Sequence, residues 1–201
     1  MSPNLGRHEM KRSDINPMPE YYDRYINLVA DVELSQAFDD SVEQLKGLDR
    51  NMLARLDGKT YEPGKWTVKD IIQHLSDVER IMCYRALLFV RLDGTVPQGF
   101  DQNRFVANAR ADARRIDELL DELITVRRAT KTLYRSFDEQ ALWATGISWE
   151  YEISVLALGF TIVGHQIHHL KIIEERYYPL FEQPLAVSQR KKDQNAARRL
   201  V

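Results

Sequence analysis

Cysteine is nearly absent. Cys83 is the one residue of its kind among 201, which excludes a disulfide framework and a cysteine-based zinc finger. Proline and glycine are scarce, seven and nine residues, and they gather between long segments rather than inside them, leaving room for long helices. No apolar run approaches the roughly 20 residues that a membrane span requires. Neither sign of charge dominates: 28 Lys and Arg stand against 30 Asp and Glu, a formal net charge of −2. Phosphate binding needs a net basic surface, so nucleic acid is not expected as the main partner. The first nineteen residues are polar and carry no apolar signal-peptide core. The expectation is a soluble, cytoplasmic protein with neither a nucleic-acid nor a membrane partner. What the chain has instead is apolar content, 44% hydrophobic residues, enough to bury the core of one domain.

Residues 1–19 hold three prolines and few apolar side chains and read as a flexible N-terminal arm. A first helix is expected from Asp31 to Leu48, where Val32, Leu34, Ala37, Phe38, Val42 and Leu45 recur mostly at three- and four-residue steps. Thr67 with Asp70 three residues on reads as the capped start of a second helix, which runs to Leu92 and stops at Asp93-Gly94. The stretch from Thr95 to Asn108 has no sustained period and reads as a crossover. A third helix follows from Ala109 to Ser136. Residues 137–153 form a second connection, and Ser154 caps a fourth helix that reaches Tyr178. No strand pattern stands out. The fold class expected is all-α, a four-helix bundle over 20–182, followed by a basic disordered tail over 183–201.

Four of the five histidines fall on the second and fourth helices. At about 100° per residue, His74 lies at the edge of the core-facing sector of its helix, with Ile71, Leu75, Val78 and Met82. His165 and His169 lie with Leu158, Ile162 and Ile173 on the inward stripe of the fourth helix, while His168 is about 100° away from His169. Two imidazoles at i and i+4 stack one turn apart, a spacing suited to chelation of one ion, and His74 would complete a facial set of three nitrogens. Three protein ligands leave room for water and substrate, as catalytic metal sites do. On spacing alone, a metal site and a hydrogen-bonded polar core account for the pattern equally well. Gln166 stands where a zinc protease would need a glutamate base, and no Glu-x-x-His pair of the di-iron type occurs. Cys83 reads as a small buried residue.

Two segments resemble the DinB/YfiT-like superfamily of metal-binding four-helix bundles. One is Pro63-Gly-Lys-Trp-Thr-Val-Lys-Asp-Ile-Ile-Gln-His74-Leu-Ser-Asp-Val-Glu79-Arg with Tyr84-Arg85; the other is Gly164-His165-Gln-Ile-His168-His169-Leu-Lys-Ile-Ile. The likeness spans roughly Tyr25 to Tyr178. It implies an up-down-down-up bundle with a long crossover between the second and third helices, and a divalent metal held by His74, His165 and His169. Family members with assigned chemistry use low-molecular-weight thiols as S-transferases or as a thiol-dependent isomerase.

Two functions follow. The first is a metal-dependent enzyme that transfers a low-molecular-weight thiol to an electrophile or hydrolyses a small substrate, since an ion on three neutral nitrogens acidifies water or a thiol. The second is a non-catalytic metal-binding or stress-related module. Three imidazoles suit zinc or nickel, and also accept iron or manganese. Arg85, on the His74 stripe about 16 Å along the helix, either binds an anionic group or pairs with an acid such as Glu79, the pairing being favoured. Asp101, Asn103 and Arg104 on the crossover either meet substrate or cap the loop, and Trp66 is expected to close the bundle end as core. Bundles of this kind often form homodimers.

Overall fold

A computed structural model describes residues 10–181; the tail expected over 183–201 and the first nine residues of the arm lie outside the described residues. The elements in order are α1 (Asp23–Ile26), α2 (Leu34–Lys46), α3 (Arg50–Arg55), α4 (Val68–Val90), α5 (Gln102–Ala109), α6 (Ile116–Arg135), α7 (Glu139–Trp143), β1 (Thr145–Ser148), β2 (Tyr151–Ser154) and α8 (Val155–Ile172). The last helix continues through a wider turn at Ile173–Tyr177. None of these helices is long and apolar enough to cross a membrane.

The four long helices are α2, α4, α6 and α8, and side-chain pairs between them fix their directions. Glu79 meets Arg127 and Cys83 meets Thr130, so α4 and α6 run parallel. Asp39 meets Lys131 and Ser41 meets Arg127, so α2 and α6 are antiparallel. Gln166 meets Ser41 and Gln44, and Leu34 lies against Gly159, so α2 and α8 are parallel. The order is up-down-down-up, as the resemblance implies. A parallel α4–α6 pair requires the chain to travel back the length of the bundle, which is what the crossover does.

Local chemistry sets the helix starts where the sequence places them. Thr67 Oγ1 accepts from Asp70 N at 3.2 Å while the Asp70 carboxylate accepts from Thr67 N at 2.9 Å. Ser154 Oγ accepts from Ala157 N at 3.1 Å at the head of α8.

Several features depart from the sequence reading, among them the third helix, which starts at Ile116 rather than Ala109. The crossover carries the short helix α5, capped by Asp101, and none of its residues is buried, so no apolar stripe announces it. Residues 145–154 form an antiparallel hairpin with Ser148 opposite Tyr151, and four-residue strands are too short for alternation to show. Residues 10–19 are not wholly loose, because Met10 and Ile15 are buried. The cause lies in α8, which is apolar nearly all round and buried at every position from Val155 to Gln166. Three helices leave part of it uncovered, and α1 with Met10, Ile15 and Tyr22 covers the rest.

Buried apolar residues divide into two clusters. Between them every long helix contributes buried polar groups: Ser41 from α2, Ser76 and Glu79 from α4, Arg127 and Thr130 from α6, His165 and Gln166 from α8. A polar belt therefore crosses the middle of the bundle.

Candidate metal centre

The antiparallel packing of α4 on α8 brings His74 against His165 and His169. The Nε2 atoms of His74 and His165 are 3.3 Å apart, and those of His165 and His169 are 3.1 Å apart. All three rings are buried, and their ligand atoms lie within 4.8 Å of one another. A tetrahedral ion with metal–nitrogen bonds of about 2.0–2.1 Å sets its ligand nitrogens about 3.3 Å apart. A ring nitrogen carries one proton or one lone pair, so His165 Nε2 cannot serve both neighbours well by hydrogen bonding, whereas one cation satisfies all three. The donor set fits a divalent ion.

Burial pushes His74 down to about 4 and His169 down to about 3, His169 also feeling His74 and His168. His165 is held well below the ordinary value, first by burial and then by His169 and His74. Desolvation penalises the imidazolium, so the rings are neutral at pH 7 and their lone pairs are available. His169 Nδ1 is buried without a hydrogen-bond partner. His168 stands outside the cluster, its ring 5.4 Å from that of Tyr25.

The surrounding walls are aromatic. The Trp66 ring lies 4.7 Å from that of His74 and stacks at 6.3 Å on His169. Its indole N–H donates to Asn103 Oδ1 at 3.1 Å, and its backbone oxygen accepts from the Tyr177 hydroxyl. Tyr25 from α1 stands edge-on to His165 at 5.2 Å. Next to the triad, Glu79 and Arg127 form a buried two-point pair at 2.9 and 3.0 Å. Gln166 turns away from the histidines and donates to Ser41 O and Gln44 Oε1.

The other residues singled out by sequence divide. Asn103 reaches the site through Trp66. Asp101 caps α5, accepting from Arg104 N at 3.0 Å, which is the loop-capping alternative. Arg85 does not pair with Glu79, because Arg127 occupies that carboxylate; it donates to Ser148 Oγ at 2.8 Å and to Gln98 O at 3.5 Å. The Cys83 thiol lies against Thr130 and is pushed up to about 11, chiefly by burial, which makes it a poor nucleophile. Trp66 is half-buried over the histidines rather than simply core. Tyr25 and the Glu79–Arg127 pair escaped the sequence reading. Gly164, next to His165, is the one local sign that another backbone approaches there.

Among curated proteins no sequence matches the chain. A solved structure, YfiT from Bacillus subtilis, is described as a probable metal-dependent hydrolase with an unusual four-helix bundle topology. It is similar in fold, with a TM-score of 0.61 and 18% identity over 88% of this chain and 95% of that one. The family model of the DinB superfamily matches residues 33–173. That span contains the four long helices and all three converging histidines, and the chain belongs to the DinB superfamily.

Proposed function

We propose that His74, His165 and His169 hold a divalent metal and that the protein is a metal-dependent enzyme acting on a small molecule. The observation that carries this is the convergence of three buried, neutral Nε2 atoms on one point. When bound, such an ion supplies Lewis-acid activation of a water or a low-molecular-weight thiol, leading to hydrolysis or to thiol transfer onto an electrophile. The description of YfiT supports the hydrolytic branch, and the family resemblance supports the thiol branch. The chain's own residues bind and shape: the imidazoles offer neutral nitrogens, Trp66 and Tyr25 keep water from two sides of the rings, and Asn103 orients the indole. Cys83 does not supply the nucleophile, so it arrives with the substrates.

The test uses protein purified without a histidine tag. Metal content is measured first, then turnover with several thiols against a chloro-nitrobenzene and with a nitrophenyl ester. One equivalent of zinc or nickel, with turnover abolished by His165→Ala, is the expected result. Metal without turnover on any probe overturns the enzyme reading in favour of a binding module. Protein that takes up no metal leaves a polar core.

A further inference from the structure

Two arginines among the described residues are buried, Arg85 and Arg127, and they are satisfied differently. Arg127 closes its Nε/Nη2 edge on Glu79, each nitrogen donating to one carboxylate oxygen. Arg85 is 5% exposed, and no ion pair of the described residues involves it. Its Nη1 is pinned to Ser148 Oγ, which also meets the Tyr22 hydroxyl at 2.8 Å. The same edge that Arg127 fills is nearly empty on Arg85: Nη2 reaches only Gln98 O at 3.5 Å, and the buried Nε has no partner. A guanidinium keeps its charge at any ordinary pH, and a buried charge without a counterion is costly.

We propose that the Nε/Nη2 edge of Arg85 binds the carboxylate of a small-molecule ligand, held at two points as Glu79 is held by Arg127. Ser148 and Tyr22 fix one corner of the guanidinium, so the unpartnered edge is set in advance. Gln98 gives up only a long contact when the carboxylate arrives. Backbone strain at the next residue of the hairpin, Trp149, adjoins this corner. Trp149 follows Ser148 in the chain, and Gly99 passes it so closely that a Cβ there would stand 3.3 Å from Cδ1. The residue is half-exposed and held at φ 62°, a left-handed conformation that a bulky side chain seldom adopts. Arg85 lies eleven residues beyond His74, about 16 Å along α4, so this site stands apart from the triad and does not depend on its holding a metal.

The experiment is thermal unfolding of the full chain in chloride buffer with chelator, titrated with acetate and with succinate at constant ionic strength. The wild type should gain melting temperature in a saturable way. Arg85→Lys keeps the charge but loses the fork and should bind at least tenfold more weakly, and Arg85→Met should show no saturable gain. If Arg85→Met does not fold, the comparison of wild type with Arg85→Lys decides. No saturable gain in the wild type, or equal gains in wild type and Arg85→Lys, overturns the proposal. The titration is repeated with zinc. A gain that appears only with zinc would put the carboxylate at the histidines and overturns it too, whereas an unchanged gain supports a separate site.

Discussion

A Cβ on Gly164 of α8 would stand 2.0 Å from the backbone oxygen of Tyr25 in α1. The two elements therefore touch backbone to backbone one residue before His165, and that contact seats the Tyr25 ring against the imidazole. Gly164→Ala should push α1 away and cost about 1–3 kcal/mol, the range for overpacking a tight site. Urea unfolding measures it, and unchanged stability would show that α1 yields freely.

Glu79 and Arg127 compensate each other inside the polar belt, 2% and 1% exposed. Glu79→Ala leaves a buried guanidinium without its carboxylate and should cost about 3–5 kcal/mol in urea unfolding. The double replacement of Glu79 by Leu and Arg127 by Met should recover most of that loss, because it removes both desolvation penalties together. Equal losses in single and double variants would mean that packing, not charge, dominates.

Metal content separates the histidines. His74→Ala, His165→Ala and His169→Ala should each lose most bound metal, since two nitrogens hold a divalent ion far more weakly than three. His168→Ala should stay near stoichiometric, its ring lying outside the cluster. An empty His168 variant beside a loaded His169 variant would sink the assignment.

Removal of the metal should also be visible in stability. A ligand bound only by the folded chain stabilises it by mass action, about 2.7 kcal/mol at a hundredfold excess over Kd. Chelator should lower the melting temperature of metal-loaded protein, and zinc or nickel should restore it. A loaded protein whose melting temperature ignores chelator would place the metal elsewhere.

Acid should unfold the chelated protein through the same rings. In the unfolded chain these imidazoles take up protons near pH 6.5; in the folded protein burial delays this to about 4 for His74 and about 3 for His169. The unfolded state therefore binds more protons between those limits, so stability is complete above about pH 6.5 and falls as pH drops toward 4. His74 alone should account for about 3 kcal/mol of that fall. Melting temperature against pH checks it, and His74→Ala should flatten the curve. A wild-type profile flat from pH 7 to 4 would mean that the rings protonate inside the fold.

Several elements were legible without coordinates because they depend on neighbours in the chain. The Thr67–Asp70 cap, the Ser154 cap and the inward setting of His165 and His169 over His168 all follow from 3.6 residues per turn and from side chains that reach their own backbone. The paired motifs around His74 and Gly164 carried the family and, through it, the order of the helices.

The sequence by itself determined which face each long helix buries and which three histidines share those faces, since helical period is a local property. Tertiary structure alone decided who meets whom across helices. Glu79 was the acid expected to pair with Arg85 on α4, yet it pairs with Arg127, because the axial offset of parallel α4 and α6 is set by packing and by the crossover. The same offset leaves Arg85 to Ser148, a residue on a hairpin too short for its alternation to show. The docking of Met10, Ile15 and Tyr22 was equally hidden, because it answers to the uncovered apolar face of α8 rather than to any pattern among the first residues.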